Sequence, residues 1–238
     1  MKIKFKNIIS FILFIIIIIC LTVILNKNYK YNKSIKTYQE IRAIINNLEY
    51  NDEVEIKDKK LEEINPEYKF WLNIPDTVID YPVVQGTDNE FYLKNNFYKE
   101  DDVGGTIFID YENNILKDKN LILYGHNMRN GSMFSDINKF KEREFFEEGK
   151  IIINKDNKNY YYEVFSVFVE QSENIILKNS FYNNDEFNDY INNLKEKSMY
   201  NKENKIKENS SIITLYTCSY EFDGARTIVS ASLVDKED

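Results

Sequence analysis

Three residues in this chain carry the types and spacing of a thiol catalyst. Cys218 closes the strand-like run "SSIITLYTC", Arg226 opens "RTIVSASLV" eight residues later, and His126, the one histidine among 238 residues, follows "LILYG". A thiolate is a strong nucleophile and is favoured by a neighbouring cation. A guanidinium that favours the thiolate also suits the oxyanion of a tetrahedral intermediate. Histidine accepts the thiol proton and returns it to a leaving amine, so the set meets the needs of thiol acyl transfer. Each residue has a plainer reading: a lone histidine is more often structural, and an arginine is often a surface charge. Their co-occurrence with an unpaired cysteine favours the functional one. A metal site is disfavoured, because one Cys and one His without CxxC or HxxxH spacing supply too few soft ligands.

Strand alternation must position these groups. Ile213, Leu215 and Thr217 share one face of their run, and Thr214, Tyr216 and Cys218 the other. In the next run Val229, Ala231 and Leu233 form the apolar face, while Arg226, Ser230 and Ser232 lie opposite. A hairpin centred on Phe222 makes Cys218 and Arg226 direct cross-strand neighbours, with Cα atoms about 5 Å apart.

The surrounding sequence is β-patterned. "FWLNIPDTVIDYPVVQG", "GGTIFIDY", "NLILYG", "KIIIN" and "NYYYEVFSVFVE" join the two runs above to give seven or eight strand candidates, with short helical pieces near 132–149. A mainly β barrel or sandwich follows. Some 40 residues separate "EVFSVFVE" from the cysteine strand and contain "DEFNDYINNLKEK", with Phe187, Tyr190, Ile191 and Leu194 at helical spacing. An insertion of this length beside a site is often its lid or wall.

Residues 8–25 carry no charge and are broken only by Ser10, Cys20 and Thr22, a length that crosses a bilayer as a helix. Lys2, Lys4 and Lys6 precede them, so the positive-inside rule keeps the N-terminus cytoplasmic and exports the rest. A cleaved signal peptide is the rival, but "NKNY" offers no small-residue cleavage site, which favours an uncleaved anchor. Removing those three lysines from the net charge of −8 leaves −11 for the exported part, which argues against a nucleic-acid partner. Cys20 lies inside the apolar run and cannot reach Cys218, leaving a lone exported cysteine that is either buried and inert or a working thiol. Residues 34–63 place Ile41, Ile44, Ile45 and Leu48 at helical spacing, a helix and charged connector that serves as spacer or packs on the domain.

"TLYTC" with an arginine eight residues on and a single "YGHN" about ninety residues upstream resembles the sortases, membrane-anchored cysteine transpeptidases of Gram-positive bacteria. "FWLNIPDTVIDYPVVQGTDNEFYL", "GGTIFIDYENN", "LILYGHNMRNGSMFSDINKF" and the helix-bearing insertion resemble class B sortases in particular, over residues 61–234 or so. The resemblance implies a closed eight-stranded barrel with an N-terminal helical segment. On this chain it implies Cys218 as nucleophile, His126 as general acid/base and Arg226 as the substrate-positioning, oxyanion-stabilising cation. Thr217 matches the family's threonine, and Tyr216 stands where class B often has Ser; with Ser219 they are the substrate-groove candidates. The implied reaction is cleavage after Thr in the C-terminal sorting signal of a surface protein, followed by transfer to a cell-wall precursor amine, with no cofactor or metal. The expected division is a cytoplasmic N-terminus (1–7), a transmembrane anchor (8–25), a juxtamembrane helix and linker (26–60) and an extracellular catalytic domain (61–238) on the cell membrane. Two rivals are a papain-like thiol hydrolase, whose cysteine normally opens a helix, and a non-catalytic membrane-tethered binding barrel.

Overall fold

The computed structural model describes residues 2–50, 57–202, 206 and 210–237, with side chains described for 7–46, 57–202, 206 and 210–234. No glycine or proline occurs before Pro66, so nothing breaks the first helix, and α1 runs unbroken over Lys2–Tyr50. Its apolar first half is exposed along its whole length, and it is long and apolar enough to cross a membrane. A signal sequence has the same features, and the helix is consistent with either. Beyond residue 30 the same helix changes partner. Ser34, Thr37, Tyr38, Ile41 and Ile45, at three- and four-residue spacing, are buried against the rest of the chain. Ile44, read on the same stripe, is half-buried, and the side chain of Leu48 lies outside those described.

After α2 (Lys57–Ile64) come β1 (Tyr68–Asn73), β2 (Asp80–Val84), α3 (Phe91–Lys94), β3 (Ile107–Ile109) and β4 (Asn120–Tyr124). A 3-10 segment (Phe134–Lys141) and α4 (Arg143–Glu147) lead to β5 (Lys150–Lys155), β6 (Lys158–Gln171), α5 (Asn184–Lys197), β7 (Ile212–Cys218) and β8 (Ala225–Glu237). The eight strands close into one barrel in the order β1-β2-β3-β4-β7-β8-β6-β5, with β5 pairing back onto β1. The β2/β3 and β4/β7 pairs are parallel and the others antiparallel. The eight-stranded barrel with its inserted helix is therefore as the sequence and its resemblance imply.

Alternation fills the barrel from β4 (Leu121, Leu123), β7 (Ile213, Leu215) and β8 (Val229, Ala231), in one core that also takes in Tyr38, Ile41 and Ile45 of α1. The opposite face of β7 and β8 is not a free polar surface. Phe187, Tyr190, Ile191 and Leu194 of α5 pack there with Phe165, Phe168, Ile212 and Ile228, so Thr214 and Ser230 are fully buried. Burying each large apolar side chain of α5 contributes about 1.5–3 kcal/mol, which is what holds the insertion down. The two polar residues tolerate burial because they lie 3.3 Å apart, and Thr214 also donates to Asn120 Oδ1 at 2.9 Å.

Candidate active site

A parallel pair brings the C-terminal ends of both strands to one edge, and β4/β7 does this with Tyr124 opposite Tyr216. Their rings meet edge to face at 5.2 Å, so both project on one face. Two residues further on, His126 lies in the loop that leaves β4 and Cys218 is the last residue of β7. The antiparallel β8 starts at this edge and sets Arg226 opposite Cys218, the cross-strand pairing expected for a hairpin centred on Phe222. His126, Cys218 and Arg226 thus come from three adjacent elements at one end of the barrel.

The loop after β4 is held to β7 by several bonds. Thr217 Oγ1 donates to the Gly125 carbonyl at 2.5 Å, and Asn127 Nδ2 donates to the Cys218 carbonyl at 2.8 Å. Tyr220 OH donates to the Asn127 carbonyl at 2.7 Å. Gly125 is required where it stands, because a Cβ there would lie 2.7 Å from the Phe134 ring that closes beneath the loop. Phe134 in turn donates its N–H to the His126 carbonyl at 2.9 Å.

His126 is half-buried, and its Nε2 lies 2.7 Å from the Leu93 carbonyl of α3. A carbonyl oxygen only accepts, so Nε2 carries the proton of that bond. In the neutral ring the lone pair is then on Nδ1, which is the nitrogen left to take a proton. One backbone oxygen fixes the tautomer and the ring plane together.

Cys218 is an exposed free thiol. Arg226 is half-buried, its Nη1 donating to the Ala225 carbonyl at 3.0 Å and its guanidinium 5.9 Å from the centre of the Tyr216 ring. Glu170, its β6 neighbour on the other side, pairs instead with Lys197 at 3.5 Å. The Arg226 charge is therefore not spent on a carboxylate within 4 Å among the described residues. Half-burial pushes the Tyr216 phenol up, and the Arg226 charge opposes that rise, so Tyr216 is a neutral neighbour.

Thr217 and Ser219 are both buried, facing into the barrel end, and Tyr216 is half-buried beneath the cation. Ser219 lies in a polar cluster: Lys141 Nζ donates to its Oγ at 3.2 Å, Thr227 Oγ1 lies at 3.1 Å, and both Lys141 and Ser219 bond Glu221. Burial alone would raise the Glu221 carboxyl, but the hydrogen bonds from Lys141 and Ser219 outweigh it and hold it at about 2. The turn after the cysteine is thereby tied to the 3-10 segment. Sequence reasoning did not single out Leu93, Asn127, Lys141 or Tyr220. The Leu93 contribution is a backbone oxygen that any side chain would supply, whereas Asn127, beside the histidine, was open to notice.

The sortase domain family matches residues 72–234. Sortase B of Listeria monocytogenes is 36% identical over 190 residues, covering 78% of this chain and 77% of that protein. The structure of a C232S mutant of Clostridium perfringens sortase B superposes with a TM-score of 0.79 at 36% identity, over 84% of this chain and 97% of that one. A Staphylococcus aureus sortase B–substrate complex superposes with a TM-score of 0.79 at 25% identity, over 87% and 99%. With this barrel, this row of three residues and these relatives, the chain belongs to the sortase B family of cysteine transpeptidases.

Proposed function

We propose that Cys218 attacks the carbonyl carbon of the Thr in the C-terminal sorting signal of a surface protein, so that the bond after Thr is the one cleaved. One observation carries the assignment of roles: an exposed thiol pairs directly across strands with an arginine that has no carboxylate within 4 Å among the described residues, at the barrel end where a histidine of fixed tautomer follows the neighbouring parallel strand. His126 Nδ1 takes the thiol proton, the sulfur bonds to carbon, and the carbonyl electrons move to oxygen beside the Arg226 guanidinium. Collapse expels the downstream peptide as an amine that receives the proton from His126, leaving a thioester on Cys218. An amine of a cell-wall precursor then attacks the thioester, His126 accepts its proton, and sulfur leaves as the new amide forms. Tyr216, Thr217 and Ser219 shape the groove, Tyr216 from beneath the arginine and the other two by fixing the strand end and turn.

The apolar half of α1 keeps the enzyme on the cell membrane, with residues 1–7 cytoplasmic and the barrel outside. Full-length protein in detergent, given a sorting-signal peptide with and without an amine acceptor, should yield an amine-linked product only when the acceptor is present. Hydrolysed product alone under both conditions would favour a thiol hydrolase, and no cleavage of any sorting-signal peptide would favour a binding barrel.

Arg226→Lys keeps the charge and loses the planar fork of donors. Turnover should fall roughly 10²- to 10³-fold, the loss expected for one oxyanion donor. Alkylation of Cys218 measured against pH should keep its wild-type profile. Near-normal turnover in the lysine variant would reduce the arginine's part to charge alone.

A further inference from the structure

Both supports of His126 trace back to Tyr38, on the half of α1 that packs against the barrel, where it is 2% exposed. The first runs through its hydroxyl, which donates to the Gly105 carbonyl and lies 3.0 Å from Thr106 Oγ1. Gly105 has a φ of +60°, and a Cβ there would lie 2.4 Å from the Tyr92 carbonyl oxygen and 3.0 Å from that of Leu93. The backbone held by Tyr38 is therefore pressed directly against α3. Thr106 completes the clamp, its N–H donating to the Tyr92 carbonyl and its hydroxyl to the Asn95 carbonyl, each at 2.9 Å. Between those two carbonyls lies Leu93, whose oxygen accepts the His126 Nε2 proton.

The second support runs through the ring of Tyr38, which meets Tyr81 edge to face at 5.2 Å. Tyr81 OH accepts the Met133 N–H at 3.2 Å. Met133 bridges back to Asn127, and the next residue, Phe134, bonds the His126 carbonyl. One route thus sets the acceptor that fixes the imidazole, and the other sets the loop that carries it.

We propose that Tyr38 is a positioning residue for the transpeptidation step, holding His126 in its reactive tautomer and orientation from the same continuous helix that carries the apolar anchor. The inference rests on His126 being the general acid/base. Residue 38 lies 13 residues past the apolar run, about 20 Å along the helix, so the site is linked to the anchor through one rigid element.

His126 is the only histidine, so its imidazole nitrogens are observable without assignment variants. In full-length protein labelled with 15N-histidine in detergent micelles, Tyr38→Phe should lower kcat roughly 10- to 100-fold, the scale of a misplaced catalytic group, with KM within about twofold. Its 15N shifts should move from a single Nε2-protonated form toward a mixture of tautomers. Tyr81→Phe, which breaks the second route at the hydroxyl that accepts the Met133 N–H, should lower kcat in the same direction. Ile45→Ala loosens α1 through a buried residue outside both routes, so it should lower Tm and leave kcat and the 15N shifts of the folded protein unchanged. Wild-type kcat and shifts in both tyrosine variants would overturn the proposal, as would an equal loss of kcat in Ile45→Ala. The parallel His126→Ala variant separates the two claims. If it is active, the general acid/base assignment fails; if it is inactive while the tyrosine variants are normal, only the positioning role of Tyr38 fails.

Discussion

Cys218→Ala is expected to abolish peptide cleavage and amine transfer, with a loss of at least about 10⁴-fold, because no other group in the row can hold the acyl group. Cys20, the second cysteine, lies in the apolar run of α1 and cannot substitute. The fold should be indifferent to the change. Cys218 is exposed, and the bond that ties its position to the histidine loop, from Asn127 Nδ2, is accepted by the backbone carbonyl, which alanine retains. Stability should therefore change by less than about 0.5 kcal/mol, read from the unfolding midpoint in denaturant. Cleavage near the wild-type rate in a folded Cys218→Ala protein would remove the nucleophile from the mechanism.

His126→Ala is expected to cost about 10²- to 10⁴-fold, since the departing amine is strongly basic and needs a proton in the transition state. The loss should depend on the leaving group. A substrate with an ester of low basicity in place of the scissile amide departs without that proton, so the variant should recover much of its deficit on the ester and none on the peptide. Truncation removes the 2.7 Å bond to Leu93, worth about 1 kcal/mol net, so the variant remains folded. An equal loss on ester and peptide would mean that His126 does not protonate the leaving group.

How far these features were legible depends on what kind of signal carries them. The pairing of Cys218 with Arg226 was readable as one register among those of the same parity, the one a turn centred on Phe222 gives, because strand parity keeps Ile213, Leu215, Val229 and Ala231 inward; the closed barrel selects it. The helix over "DEFNDYINNLKEK" was readable from its apolar stripe, but not the surface it covers, because Thr214 and Ser230 look like a solvated face until α5 is laid on them. The burial of α1 was half legible: Ile41 and Ile45 show the period, whereas Tyr38, a polar-tipped residue among lysines and asparagines, does not show that it joins the core. The Leu93 carbonyl was not legible at all. It reaches His126 across 33 residues of sequence through a backbone atom, and only the closed barrel brings α3 to the end of β4.

The most direct test of the central claim is the intact mass of the full-length protein, quenched in acid shortly after mixing with a sorting-signal peptide and no amine. The account predicts a covalent adduct whose added mass equals the peptide fragment ending at Thr, minus water, located on Cys218 by fragmentation and discharged when a cell-wall-type amine is supplied before the quench. Cleavage that proceeds at full rate with no adduct under any quench time, or an adduct located on another residue, would contradict it.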